Sequence, residues 1–366
     1  MPSSRELLCW VALTRAPELS VATLATALDT LQSAEGLIAA GDQRRARAGL
    51  PPAARAFLQG PSAKPTAAEA AWLAGPDHHL LAFTDVRYPR ALRAVAGCPI
   101  ALYVEGDPTV MNHAQLAIIG SRHPTAQGEQ NAFEFARYLA ERGLGITSGL
   151  AQGIDTQAHR GALAAKGLTI AVLGTGLDLV YPRSNSGLAA EIARSGALVS
   201  EFALGTALQR VNFPQRNRII AGLSRGTLVV EAARQSGSLI TARLAGDAGR
   251  DIFAIPGSIH NPLSRGCHQL IRQGAKLTET ADDILTELDF SVEFAGAAPP
   301  AQGPGMDKDH KILLDALGFD PTDLDSLVAR TGFNAQAVSS MMLILELEGH
   351  VQAAPGGRYS RVSRSL

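Results

Sequence analysis

Apolar positions recur along this chain in three rhythms, each confined to its own stretch. Over 1–77 they follow helical spacing, as in LSVATLATALDTLQSAEGLIAAG and PTAAEAAWLAG, and nothing alternates as a strand does. This predicts a small helical domain. The next segment, DHHLLAFTDVRYPRALRAVAGCPIALYVEGDP, reads as strand, turn, short helix and strand, leading into the main domain of 78–290. From 115 onward short continuous runs appear: LAIIG, LGITSG, TIAVLGTG, ALVSEF, TLVVEAA and DIFAIPG, most separated by helix-like stretches. Continuous β-branched runs mark strands buried on both faces, and strand–helix repetition at this length predicts an α/β doubly wound parallel sheet over 115–290. SVEFAGAAPPAQGPG, at 291–305, has a linker's composition. In 306–366, helices near 309–317, 323–331 and 334–348 precede VQAAPGGRYSRV, and three helices with a Gly-Gly hairpin read as a winged helix.

Composition narrows the class. A chain of 366 residues with 46% hydrophobic and 18% charged residues is an ordinary globular protein with room for several domains. No run approaches the ~18 apolar residues of a membrane span. MPSSRELLCWVALTR lacks a cleavage site, so neither a signal peptide nor a membrane partner is expected. Cys9, Cys98 and Cys267 form no CxxC pair, which fits a reduced cytoplasmic setting and no metal site.

The formal net charge of −1 conceals an asymmetry. Between 205 and 276, nine Arg and one Lys face only Glu231, Asp247 and Asp251. Between 277 and 325, twelve acidic residues face only Lys308 and Lys311. A basic block beside an acidic one points to a polyanion site with a repelling neighbour. Arg216 and Arg218, in NFPQRNRIIAGLS, have no acidic residue within ten positions.

Ligands of open parallel sheets bind outside the carboxyl ends of the strands. Those ends here carry small residues: Gly120-Ser121-Arg122; Ser148-Gly149 opening SGLAQGID; Gly174 and Gly176 of LGTG; and Ser236-Gly237-Ser238 before LITARLAG. Glycine lets backbone N–H groups approach a ligand, and a helix N-terminus adds free donors and a positive dipole end. Any one such glycine is explained by tight packing or positive φ. Four together, beside the basic block, read as a row of anion sites.

Catalytic signatures are missing. Gly174-Thr175-Gly176 has Leu179 where a dinucleotide fingerprint needs its third glycine, and no P-loop, nucleophile elbow or HExxH occurs. His159 reads as a packing residue and Asp155 as the N-cap of its helix. Phosphate cradles without catalytic groups fit a polynucleotide backbone, which arginine grips bidentately while its planar face stacks on bases. Binding without enzymatic activity and without a cofactor is the expectation.

The motifs GSR, SGxAxGID, LGxGxDxxYP, NFPxRNRIIAGLS, VVEA, SGSLITA and GRxxFAxPG occur in an order that resembles the DNA-processing protein A (DprA/Smf) family. The resemblance runs from Asp85 of DxxYPxxL through Glu279, and weakly on through LxxLxARTG and LxLExxGxVxxxPGGRY. It implies an extended Rossmann-like fold forming homodimers, with an N-terminal domain of sterile-alpha-motif (SAM-like) kind. It also implies a cytoplasmic single-stranded DNA-binding protein of natural transformation that helps load RecA recombinase. Arg122 and Arg183 fall at the family's basic DNA-contacting positions, and Asn212 lies in its longest motif. The family's usual Gly-Cys-Asn is Gly266-Cys267-His268 here, so His268 is left out of the site.

On a helix starting near Pro214, Arg216 and Arg218 lie about 200° apart and cannot face one partner. One is expected to reach the strand-end groove and the other to pair with Glu201 or Glu231. The alternative function is a nucleotide-processing phosphoribohydrolase-like enzyme on a related fold, whose PGGxGTxxE motif is absent. A third reading is a transcription factor acting through the winged helix, but its third helix contains no Lys or Arg.

Overall fold

The computed structural model describes residues 3–290, 307–354 and 356–362. The segment expected to be a linker lies outside the described residues. Six helices open the chain: α1 (Ser4–Arg15), α2 (Val21–Leu31), α3 (Ala34–Ala39), α4 (Asp42–Arg47), α5 (Pro52–Gln59) and α6 (Ala67–Leu73). Their starts are set by local chemistry. Ser3, Ser20 and Ser33 each accept a backbone N–H from the first turn, and Thr66 forms a reciprocal capping box with Glu69. These helices pack on β1 (His78–Ala82) and β2 (Ala101–Gly106), which are separated by α7 (Arg90–Arg93). Trp10 meets Phe83 edge-on at 5.8 Å and Trp72 meets Tyr103 at 5.9 Å, so the helical layer shares one apolar core with the antiparallel β1–β2 pair.

The rest of the sheet follows the βα rhythm of the sequence. The elements are β3 (Gln115–Ile119), α8 (Ala126–Glu141), β4 (Gly145–Ser148), α9 (Ile154–Ala164), β5 (Thr169–Val172), α10 (Ser186–Ser195) and β6 (Ala197–Ser200). They continue through α11 (Asn212–Leu223), β7 (Gly226–Val229), α12 (Ser238–Asp247), β8 (Asp251–Ala254), α13 (Arg265–Arg272), β9 (Lys276–Leu277) and α14 (Ala281–Glu287). The nine strands lie in the order β1-β2-β6-β5-β4-β3-β7-β8-β9, parallel from β6 to β9. Strands β3 to β7 are buried along their whole length, as their continuous apolar runs require. The chain winds outward from β3 to β6, then returns to lay β7 against the other side of β3. That reversal opens a crevice beyond the ends of β3 and β7, where the register pairs Ile119 with Val229.

The C-terminal unit comprises α15 (Lys308–Leu317), β10 (Thr322–Asp323), α16 (Leu324–Thr331), α17 (Ala335–Leu347), β11 (Val351–Ala354) and β12 (Arg358–Arg361), with a small sheet ordered β10-β12-β11. This is the winged helix the sequence predicts. It has an apolar cluster of its own, built around Leu313, Leu327, Val338, Met342 and Leu345. Gly356 and Gly357 turn the wing at φ of 81° and 68°, a left-handed conformation that other residues rarely adopt.

Candidate functional site

The strand-end glycines divide sharply when a Cβ is added to each. At Gly120 it would stand 2.6 Å from Ile154 and 2.9 Å from the Glu231 carbonyl; at Gly176, 2.6 Å from the Ala203 carbonyl. At Gly153 the φ is 76° and the Ser121 carbonyl is 2.4 Å away. Those glycines are required by packing and backbone conformation. Gly174 is different, since its nearest neighbour would be Asn212 Cβ at 3.8 Å, and around Gly237 nothing lies within 4 Å. Gly237 faces open space, whereas Gly174 is buried with its neighbours at ordinary contact distance, so packing forces the missing side chain at neither.

Arg216 forms the floor. It sits on α11 with 7% exposure, and its guanidinium donates from Nη1 to the carbonyls of Gly149 and Val172, at 3.0 Å for the latter. It thereby takes up carbonyls left free where β4 and β5 end. Beside it Asp155 is buried and accepts from Gly149 N and Ala151 N, both at 3.2 Å. Burial pushes the Asp155 carboxyl up against the pull of Arg216, and burial likewise pulls the Arg216 guanidinium down, with Arg122 adding to the effect. The expectation that Asp155 caps its own helix is corrected here. Gly153 is the N-cap of α9, and Asp155, two residues on, turns its carboxylate back to hold the loop after β4.

Arg122 is exposed at the mouth, its guanidinium carbon 4.8 Å above the Phe213 ring, while that of Arg216 lies 5.6 Å from the same ring. Phe213 thus joins the two cations. They border a cavity of about 200 Å³ lined also by Gly120, Ser236, Gly237 and Ser238. A smaller depression of about 40 Å³ lies on the other side, against Gly149, Gly174, Tyr181 and Leu208. Ser236 Oγ accepts from Ser238 N at 3.3 Å, and Ser238 Oγ donates to the Gly120 carbonyl at 2.7 Å, tying the start of α12 to the end of β3. Asn212 is buried and donates from Nδ2 to the Gly174 carbonyl at 2.9 Å. Arg183 stands exposed in the turn after Tyr181 and Pro182, which both line the depression.

Not every residue singled out reaches the crevice. Ser148 is fully buried, its hydroxyl donating to the Ile118 carbonyl at 2.7 Å. Ser121 Oγ accepts from His123 N within its own loop. Arg218 turns to the opposite side of α11 and pairs with Glu201 behind the crevice, as the 200° separation demands. That pair borders a cavity of about 330 Å³ between the N-terminal helices and the sheet, lined by Thr14, Leu19, Ser20 and Cys98. Glu231, the other acid considered as a partner, instead accepts from Thr125 N and Oγ1 at the start of α8. His159 is fully buried against Thr169 Oγ1 at 2.7 Å and pushed down to about 3 by burial, so it serves packing.

Phe213, Tyr181 and Leu208 also border the crevice; the sequence marks Phe213 only by its place beside Asn212 and Tyr181 only by its place two residues before Arg183, and it does not mark Leu208.

Comparison with known proteins gives a consistent family. Residues 79–289 match the model described as DNA recombination-mediator protein A, and residues 297–357 match the DprA winged helix domain. The chain is 45% identical over 300 residues to Protein Smf of Escherichia coli, covering 80% of each. It is 46% identical over 206 residues to DNA processing protein DprA of Streptococcus pneumoniae, covering 56% of this chain and 73% of the relative. The solved Streptococcus pneumoniae DprA superposes with a TM-score of 0.67 at 34% identity, over 79% of this chain and 99% of that one. DNA processing protein A from Helicobacter pylori, solved to explain its single-stranded DNA binding mode, gives a TM-score of 0.51 at 32% identity, over 55% of this chain and 92% of that one.

Proposed function

The chain belongs to the DNA recombination-mediator protein A family, and from that premise we propose that it is a non-enzymatic protein that binds and protects single-stranded DNA in natural transformation and recombination. The observation that carries this reading is the switch-point crevice, where Arg122 and Arg216 flank Phe213 and Gly237 leaves open space for a backbone to approach. In the proposed mode Arg122 and Arg183 take phosphates from the rim, while Gly174, Ser236, Gly237 and the start of α12 form the wall. Arg216, Asp155, Asn212 and Ser238 hold that wall in place. A site of this kind reads backbone charge and unpaired base faces, not base edges, so little sequence preference is expected.

The competing reading, a nucleotide-processing hydrolase, requires a titratable group free to act on its ligand. Asp155, the one carboxylate among the described residues lining the crevice, is turned to two backbone N–H groups instead. The homodimer, the loading of RecA recombinase and the cytoplasmic location are carried over from the family as part of the proposal, and the division at 77, 290 and 305, read from the sequence, is proposed with them. Titrating labelled single and double strands at matched salt, with a parallel assay for free base released from nucleotides, tests the function. Preference for the single strand without base release is expected; base release would favour the hydrolase.

A further inference from the structure

The cavity behind α11 joins pieces of chain that are far apart in sequence. Leu19 and Val21 enter it from the start of α2, Ile100 and Ala101 from the chain running into β2, and Glu201 and Arg218 from the end of β6 and from α11. Ala16 and Ala101 are buried in its wall, whereas Ser20 and Ala22 are exposed at its mouth, so its 330 Å³ can be reached from solvent. That volume is at the small end of the range for ligand sites. It has room for one small molecule.

Its polar groups are unequally occupied. The Thr14 hydroxyl donates to the Val11 carbonyl at 2.8 Å, and Ser20 Oγ accepts from Thr23 N at 3.1 Å. Glu201 and Arg218 spend Oε2 and Nη2 on each other. Glu201 Oε1 and Arg218 Nη1 are left buried, with no hydrogen-bond partner among the described residues. One of these atoms only accepts and the other only donates, and a buried polar atom without a partner is destabilising. Burial pushes the Cys98 thiol up, so it adds no charge to the wall. A third group that offers an N–H to the carboxylate and an oxygen to the guanidinium would complete the pair.

We propose that this cavity is a second binding site, separate from the crevice, for a small neutral molecule that carries a carboxamide or lactam edge on an apolar body. The edge donates to Glu201 Oε1 and accepts from Arg218 Nη1, while the body rests on Leu19, Val21 and Ile100. A carboxylate of the same shape would meet Glu201, and an amidinium would meet Arg218. Charge on the ligand is therefore opposed whichever sign it has.

Benzamide, benzoate and benzamidine share nearly one shape and differ in charge, so calorimetric titration of the full chain with each tests the site. Benzamide is expected to bind about tenfold more tightly than either ion. Ala22→Trp, placed at the exposed mouth, is expected to abolish benzamide binding without lowering the melting temperature. Glu201→Gln, which leaves Arg218 without its counter-charge, is expected to turn the preference about tenfold toward benzoate. No benzamide binding up to ~10 mM, the weakest expected of a fragment this size, would show a cavity that holds only water and overturn the proposal. Equal binding of the three compounds, or benzamide binding that survives Ala22→Trp, overturns it as well.

Discussion

Arg122, Arg216 and Arg218 lie within one small region yet do three different things, and burial sorts them. Arg122 is exposed at the mouth, its guanidinium over the Phe213 ring. Replacing it with alanine is expected to remove about one phosphate contact, weakening binding and lowering the log–log salt slope by ~0.7 for a single strand. Arg183→Ala is expected to act likewise from the rim. Salt titrations of both variants check this, with thermal melts to confirm that the fold is intact; wild-type affinity and slope in both would contradict it. Arg218 serves stability. It and Glu201 keep 22% and 16% of their side-chain surface, so Arg218→Ala is expected to cost about 3 kcal/mol, the low end of the range for breaking a buried pair. A thermal melt measures that loss, and an unchanged midpoint would contradict it. The spacing of Arg216 and Arg218 revealed that they face apart; which of them turned inward depended on where β5 and β6 end, which spacing does not encode. Asp155 misled for a related reason. The rule that a short polar residue near a helix start caps it holds only if the residue occupies the cap, and here the φ of 76° at the cap selects Gly153.

At the scale of elements, the strands were legible because burial on both faces leaves an unbroken apolar run, and the helices because their apolar positions recur at helical spacing. The crevice was legible only as a set of small residues, since the sequence does not say which glycines are fixed by packing and which face a ligand. Three-dimensional neighbours make that separation. The third helix of the winged unit shows the same limit. Of its apolar residues, Val338, Met342 and Leu345 fill the local core, whereas Leu343, Ile344 and Leu347 remain exposed at 58%, 42% and 81%. A helix with such a face, lacking Lys and Arg and ending near Glu346 and Glu348, repels phosphates and does not suit a major groove. Because this unit has its own apolar cluster, deleting 306–366 is expected to leave single-strand affinity within a few-fold of the full chain. Direct titration of the truncated protein checks this; a hundredfold drop, ~2.7 kcal/mol, would show that the tail binds DNA.

For the whole molecule, the strand order decides where a ligand can sit. The reversal between β3 and β7 opens one crevice, and the basic block between 205 and 276 supplies α11 and α12 on its border, while no described acidic residue after 277 lines it. The N-terminal helices share a core with β1 and β2 and close over the Arg218–Glu201 pair behind α11, so the helix that carries Arg216 is held from both sides. Such a frame presents a rigid cationic wall, and it discriminates by strandedness rather than by sequence. The most direct measurement is fluorescence anisotropy of the full chain with a labelled single strand and with its duplex, at the same salt. Tighter binding of the single strand, similar for strands of different base composition, is the predicted result; duplex binding as tight or tighter would contradict the account.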